Sequence, residues 1–283
     1  MATVFLAALL VLLVCRALPD LARLRNFSWW HRWLEHVGSA PSSIVVAGVF
    51  GPVLLCLIVQ LALRGSLFGL GAFLFAAFML FYCWGPRDLE LDVEAVEKAP
   101  DSERRVAAAQ SLLPEGRSGP LAFSPECLVA ATFESALQRW FGVLFWFAVI
   151  GPAGALLYRL VRLLAYSSDV RAGDVRAQAV RAAAALDWLP AHLVALALAL
   201  ASDFDAVLKS WRDYHHAHPQ GYASFEPGFL DAIARASVDA DVAAEEGDAA
   251  SPIVALDDAM VLVRRVLVVW LTIVALIVLA AWF

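Results

Sequence analysis

The sequence predicts an all-α, polytopic membrane protein with four to six spans, one broken and re-entrant segment, and cytoplasmic helical loops. Hydrophobic residues make up 61% of the 283 residues and charged residues only 17%, well below the roughly 25% typical of soluble domains. The mean hydropathy is +0.72. The apolar residues also gather in long runs, and a helix needs about 20 apolar residues to cross the hydrocarbon core. The lipid bilayer is therefore the first partner that the sequence indicates.

Six apolar runs supply the predicted spans. They cover residues 2–18, 44–63, 66–84, 138–166, 186–202 and 262–283. The second, third and last runs meet the length of a membrane helix most clearly. The first run also has the length of a secretory signal, but a signal carries basic residues ahead of its apolar stretch. Here the first charged residue, Arg16, lies behind the stretch, so we predict a retained first span.

Basic residues in the predicted loops indicate the orientation, because cytoplasmic loops carry an excess of Lys and Arg. Four arginines, from Arg16 to Arg32, lie between the apolar parts of the first two runs; Arg64 alone separates the next two. The N-terminus is therefore predicted to lie outside. The predicted organisation is three N-terminal spans (1–84), a cytoplasmic acidic helical segment (85–137), a broken and interfacial hydrophobic region (138–203), a cytoplasmic loop and linker (204–260) and a C-terminal span (261–283).

The run 138–166 is interrupted by Gly151, Pro152 and Gly154. If it crossed the bilayer, the five arginines between 159 and 181 would lie outside, against the charge rule. Entry by 140–150, a turn at the break and return by 155–165 would avoid this. Pro152 removes a backbone donor and the glycines allow unusual dihedrals, which is tolerated at membrane depth only where protein or a water-filled cavity covers the backbone. A kinked span whose arginines snorkel to an interface remains the alternative.

The polar segments predict helices of simpler character. Acidic and apolar residues alternate in 87–120, which indicates helices that end at Pro114 or Gly116. Segment 126–140 has apolar residues at helical spacing and should lead directly into the broken run. The acidic stretch 239–252 has the composition of a flexible linker.

Histidines cluster in the stretch "DYHHAHPQ". Asp213, His215, His216 and His218 together offer carboxylate and imidazole ligands for a divalent metal. The stretch ends at Pro219 in a turn-like context, so a solvated histidine loop is the alternative that we favour. They remain weak metal candidates.

Other candidate groups are isolated along the chain. Glu134 is either a buried carboxylate facing a membrane site or an interfacial surface group. Asp187 is a plausible N-cap for a helix with Pro190 near its first turn. His192 would then lie in an apolar helix, half-buried, with one hydrogen bond.

Several function classes find no support in the sequence. It has no phosphate-cradling loop, no HExxH and no nucleophile elbow. The four cysteines form no CxxC pair, and the net charge of −6 argues against nucleic acid. No cofactor is indicated, and the remaining partners are a small ligand or another membrane or cytoplasmic protein.

Three segments together resemble the AmpE branch of the AmpE and CobD/CbiB superfamily. They are "LFWFAVIGPAGALLYRLVRLL" (144–164), "ALDWLPAHLVAL" (185–196) and "WRDYHHAHPQ" (211–220). The motif positions that carry the resemblance are Trp146, Tyr158, Asp187, Trp188 and Pro190. It implies a multi-pass protein of the bacterial inner membrane that modulates induction of a chromosomal β-lactamase.

The CobD/CbiB branch implies a different function, the synthesis of an amide between an aminopropanol or its phosphate and a corrinoid. Glu134, Asp213 and His218 would then be the catalytic candidates around a cytoplasmic pocket. The chain departs from that branch, because "FESALQRWFG" keeps Glu134 but has no Asn or Asp after it, and "HPQGYASFEP" keeps only His218 and Pro219. These departures favour the non-enzymatic AmpE type.

Replacing both Gly151 and Pro152 by leucine should join the two halves of the broken run into one helix of about 25 residues, long enough to cross the bilayer. The change would carry Arg171 outward against the charge rule. We expect misinsertion, proteolysis or loss of signalling, measured by labelling a cysteine placed at Ala165 and by β-lactamase induction. If insertion and induction both stay intact, the segment is an ordinary span.

Overall fold

The computed structural model of the chain consists of helices joined by turns, and no strand occurs among the residues that it describes. Those residues are 2–37, 41–65, 69–85, 87–117, 119–166, 173–218, 225, 228–244 and 251–280. The predicted all-α class is confirmed.

The described helices are named here in chain order. They are α1 (Ala2–Ala17), α2 (Ser28–Val37), α3 (Pro41–Val45), α4 (Gly51–Ala62), α5 (Leu70–Cys83), α6 (Leu89–Glu97), α7 (Ser102–Ala109), α8 (Pro125–Ala136), α9 (Gly142–Ile150), α10 (Pro152–Tyr166), α11 (Gly173–Ala201), α12 (Phe204–Ala217), α13 (Gly228–Ala244) and α14 (Pro252–Ala280). Two π-helices join their neighbours without a break, Val46–Phe50 between α3 and α4 and Leu137–Phe141 between α8 and α9.

The chain divides into two compact units. Unit 1 comprises Met1–Pro86, Gly142–Leu186 and Ile277–Phe283, and unit 2 comprises Arg87–Phe141 and Asp187–Leu276. In the sequence, unit 1 has ten arginines, no lysine and four acidic residues, whereas unit 2 has 11 basic and 23 acidic residues. The modest net charge therefore conceals a positive unit and a strongly negative one.

Helix α10 lies at the centre of unit 1. It packs against α4, α5 and α9, and 12 of its 15 residues are buried, so almost no face of this helix meets solvent or lipid. Three cysteines, Cys15, Cys56 and Cys83, are also buried in this unit as small core residues.

Helix α2 packs against the π-helix Val46–Phe50. The indole Nε1 of Trp30 donates to the carbonyl of Gly48 at 2.7 Å, and that of Trp33 donates to the carbonyl of Ala47 at 3.0 Å. A π-helix disturbs the regular ladder of an α-helix and is often found at functional sites. Here the two indoles supply donors to the disturbed backbone.

Four helices of unit 2 are preceded by a polar N-cap residue. Asp88, Asp101, Ser124 and Asp203 each accept a hydrogen bond from a backbone N–H in the first turn of the helix that they precede, as N-cap residues do. Helix α13 packs against both α8 and α12. The predicted apolar face of 126–140 is confirmed, since it is buried at Leu128, Thr132, Ala136 and Trp140.

Helices also form in the segment 87–120, as predicted. Helices α6 and α7 are followed by a 3₁₀ turn that ends at Leu112, slightly before the predicted end. Of the predicted linker 239–252, residues up to Ala244 continue α13; residues 245–250 lie outside the described residues.

Three described helices are long and apolar enough to cross a membrane: Ser43–Ala62, Asp174–Ala201 and Pro252–Ala280. A fourth arises if Thr3–Ala17 and Leu21–Val37, bent by 118°, count as one span. Helix α5 has 14 residues, about 21 Å, and is shorter than the roughly 30 Å hydrocarbon core. The chain has the helices of a membrane protein, and the predicted four to six spans are not confirmed by helix length.

The predicted helix start at Asp187 is wrong. Asp187 and Pro190 both lie inside α11, which begins at Gly173, and Asp187 is buried. The alanine-rich sequence before Asp187 favours helix strongly and extends the helix through the predicted cap. The helix tolerates Pro190 because the indole of Trp146 donates to the Leu186 carbonyl, which proline cannot serve.

Candidate functional site

The chain reverses direction at Gly151. Its φ of +87° lies in the left-handed region that favours glycine, and it separates α9 from α10. Gly142 faces Tyr158, and Gly154 faces Trp146, which is the register of an antiparallel helical hairpin. The reversal lies where the sequence predicts a turn; its re-entry into a membrane stays a prediction.

Close packing in the hairpin depends on Gly154. A methyl group at this position would overlap the carbonyl oxygen of Trp146 and the side chain of Ile150, so any larger residue would force α9 and α10 apart. Pro152 is buried in the first turn of α10, where its missing N–H would have no partner within the helix.

The side chain of Gln60 on α4 forms hydrogen bonds with the backbone at the reversal. Its Nε2 donates to the carbonyl of Ile150 at 3.1 Å, and its Oε1 accepts from the backbone N–H of Ala153 at 3.2 Å. One amide side chain therefore satisfies a donor and an acceptor that the interrupted helix leaves open. Sequence analysis missed this residue, although Gln60 is the single amide side chain in the apolar run 44–63.

A second donor compensates for Pro190. Proline has no N–H to give to the carbonyl four residues earlier, which is that of Leu186. The indole Nε1 of Trp146 donates to this carbonyl at 3.1 Å. Two positions of the family resemblance, Trp146 and Pro190, are thus connected by one backbone carbonyl.

Arg159 and Arg162 of α10 are buried, with 2% and 0% of their surface exposed. The guanidinium of Arg162 lies 5.0 Å from the ring centre of Tyr166 and 5.8 Å from that of Tyr158, within the range of cation–π attraction. Both arginines lie inside the protein, whereas the kinked-span interpretation requires them to extend to an interface.

The second and third resembling segments meet in unit 2, around His192 of α11. Its ring centre lies 4.5 Å from that of Trp188, 5.8 Å from Trp211 and 6.2 Å from His215. Phe229 of α13 covers His192 at 4.6 Å and His215 at 5.3 Å. We call these five residues the histidine–aromatic cluster.

Both cluster histidines are fixed by their own helices. Nδ1 of His192 lies 2.7 Å from the carbonyl of Trp188, and Nδ1 of His215 lies 2.8 Å from that of Trp211. A carbonyl only accepts, so the proton of each neutral ring lies on Nδ1 and Nε2 carries the lone pair. The expectation that His192 is half-buried with one hydrogen bond is confirmed.

Glu134 belongs to a charged group in unit 2. Nε of Arg117 lies 2.8 Å from its carboxylate, and the same guanidinium lies 2.5 Å from the carboxylate of Asp231 on α13. Both carboxylates are largely buried, at 14% and 17% side-chain exposure. Burial raises the pKa of Asp231, and Arg117 opposes this effect. Arg117 therefore joins α8 to α13 by charge.

The stretch "DYHHAHPQ" is not the predicted turn. Helix α12 extends to Ala217, so Asp213, His215 and His216 are helical, because Asp203 caps this helix and its sequence lacks a breaker before Pro219. Asp213 and His216 are exposed and His215 is buried. His218 follows the helix, exposed and stacked on Tyr214 at 3.9 Å.

The environments of the metal and catalytic candidates differ. Among the described residues, no three His, Cys, Asp or Glu side chains come together as metal ligands. Glu134 is engaged by Arg117, whereas Asp213 and His218 lie exposed at the end of α12.

Comparisons of the chain with protein-family models, with curated proteins and with solved structures find no match.

Gln60→Leu should destabilise unit 1, because it leaves the Ile150 carbonyl and the Ala153 N–H without their partner. The contact with Ile150 is exposed and that with Ala153 is part-buried, so we expect a loss at the low end of about 1–3 kcal/mol, seen as a fall in the thermal unfolding temperature in detergent. Leu61→Ala, at the exposed neighbouring position, is the control and should change stability much less. Equal stability of Gln60→Leu and wild type would exclude this role of the amide.

Arg117→Gln should destabilise the contact of α8 with α13 in a pH-dependent way. We expect a loss of about 1–3 kcal/mol, at the low end because Arg117 is 40% exposed. Burial raises the pKa of Asp231, and the substitution removes Arg117, the strongest influence that opposes this effect, so the folded state binds more protons than the unfolded state. Stability is then lost as pH rises through the folded-state pKa.

Thermal unfolding of this variant at pH 5 and pH 8 is the measurement, with the larger loss expected at the higher pH. The control is Arg104→Gln, which removes an exposed pair with Asp101 and should change stability by less than about 0.5 kcal/mol. The same loss at both pH values would show that the carboxylates are not the cause.

Proposed function

We propose that this chain is a non-catalytic regulatory protein of the AmpE type in the bacterial inner membrane. In this proposal the N-terminus is periplasmic, and cytoplasmic parts relay a signal that leads to induction of a chromosomal β-lactamase. The signal reaches the chain through a small ligand or a protein partner, and the histidine–aromatic cluster is the part that responds.

One observation carries the proposal. The three segments of the family resemblance are joined in the folded chain, since Trp146 of the first donates to Leu186 of the second, and His192 of the second packs on Trp211 and His215 of the third. Each segment of the resemblance takes part in one of these contacts, which is what supports the proposal.

The chemistry of the cluster suits a responsive element. A neutral imidazole can accept a hydrogen bond at the ring nitrogen that carries no proton, and Nε2 of His192 is buried with no hydrogen-bond partner among the described residues. Protonation or a donor group from a ligand would each act on this atom. Either event would alter the packing of α11, α12 and α13 on one another.

The alternative is a divergent CobD/CbiB-like enzyme. It would require Glu134, Asp213 and His218 to act on one substrate, and amide synthesis needs groups that bind phosphate and activate a carboxylate. The ion pair of Glu134 and the exposure of the other two argue for the regulatory proposal.

The test uses a bacterium with an inducible chromosomal β-lactamase in which the gene for this chain is deleted. Wild type should restore induction. His192→Gln and His215→Gln should lower it by about fivefold, the lower end of typical coupling between sites. His216→Gln, which changes the exposed histidine next to His215, should restore induction fully.

Induction that does not depend on the gene would overturn the proposal. The same strains are assayed for complementation of a cobalamin-biosynthesis mutant and for corrinoid binding by the purified protein. Turnover or saturable corrinoid binding would establish the enzymatic alternative.

A further inference from the structure

We propose that unit 2 has a binding site for one anionic phospholipid, in a groove between the C-terminal end of α11 and the middle of α14. The two arginines at its rim, Arg264 and Arg265, would bind the lipid phosphate, and the apolar residues beyond them would contact an acyl chain. The site is separate from the histidine–aromatic cluster and does not depend on the proposed function.

The groove combines charge with an apolar floor. It has a volume of about 560 Å³ and is lined by Ala201, Val261, Arg264, Arg265, Val268 and Val269. Glu90 of α6 holds the guanidinium of Arg264 at 2.9 Å, which orders one side of the rim. Glu90 contacts Nε and offsets part of the charge of Arg264. No acidic residue is among the lining residues themselves, so the rim presents two guanidinium groups to the groove.

The position of the arginines along α14 places them at the surface of a membrane. Residues 266–283 contain no charged side chain. The 15 of them that belong to α14, up to Ala280, rise about 22 Å, which covers most of the roughly 30 Å hydrocarbon core. If this part of α14 crosses the bilayer, Arg264 and Arg265 lie at headgroup level.

Helix α11 indicates the same level independently. Its apolar run ends at Ala201, a lining residue, and the next residues are Ser202 and Asp203, the latter an N-cap for α12. The apolar parts of both helices therefore end at the groove. A lipid headgroup is the anion that a protein meets at such a boundary.

Exposed apolar residues lie on both sides of the groove. Leu200 is 67% exposed and Val268 is 62% exposed, and Leu276 further along α14 is 59% exposed. Such residues are expected to face lipid tails. A guanidinium fits a phosphate through two parallel hydrogen bonds, so the groove offers a contact for each half of a phospholipid.

The two arginines should favour lipids whose headgroup carries a net negative charge. Phosphatidylcholine also has a phosphate, but its ammonium group cancels the charge. Each arginine near the surface should favour an anionic lipid by roughly fivefold. Phosphatidylglycerol is therefore the predicted occupant over phosphatidylcholine.

The experiment is native mass spectrometry of the full-length protein in detergent, titrated with phosphatidylglycerol or phosphatidylcholine. We expect a phosphatidylglycerol adduct that the Arg264→Gln/Arg265→Gln variant weakens by about tenfold or more. The matched control is Arg212→Gln, which removes an exposed arginine of α12 outside the groove, and it should bind like wild type.

A second variant keeps the charge and fills the groove. Ala201→Leu should also weaken the adduct, and it gives the answer if the double arginine variant fails to fold. Equal binding of the two lipids, or unchanged binding in Ala201→Leu with folded protein, would overturn the proposal. A change of oligomeric mass in these variants, with lipid binding unaltered, would overturn it in favour of a second copy of the chain.

Discussion

The helices of unit 1 depend on one constraint: an apolar surrounding offers no water to an open backbone group, so each interruption of a helix needs a partner within the protein. Three interruptions meet this requirement by side chains. Gln60 serves both groups at the Gly151 reversal, Trp146 serves the carbonyl opposite Pro190, and the indoles of Trp30 and Trp33 serve the π-helix. These donors are amide and indole groups, which are neutral and therefore cheaper to bury than charges.

The same constraint gives a physical meaning to the positions that carry the family resemblance. Gly154 permits the close approach that the hairpin needs. Trp146 donates the hydrogen bond to the Leu186 carbonyl that Pro190, which has no N–H, cannot donate. The resemblance is therefore concentrated where the backbone is irregular. An anchor alone could use uninterrupted helices, whereas the three interruptions here, each with its own partner, give this region a defined, non-linear shape.

Much of the fold follows from local signals in the sequence. The apolar runs, the helical face from Leu128 to Trp140 and the reversal at Gly151 depend on composition, spacing and backbone chemistry, which the sequence displays directly. The predicted helix start at Asp187 was wrong. Aspartate is a common N-cap, but the alanine-rich residues before it also favour helix, and their packing in the folded protein extends α11 through this position. Gln60 and Arg117 were missed because their partners, Ile150 and Asp231, are about a hundred residues away, and a single sequence does not show which distant residues meet.

Unit 2 solves a different problem, because its polar groups are abundant and its difficulty is repulsion among carboxylates. Arg117 holds two of them, and Arg139 binds Asp92 at 2.7 Å. Groups committed to such pairs are poor general acids and bases, since proton transfer would break the contacts that hold the helices together. The cluster histidines are different: Nδ1 of each ring lies against a carbonyl of its own helix, so a change at the other ring nitrogen leaves this contact in place. In the regulatory proposal, a change at these rings would therefore act on the packing of α11, α12 and α13.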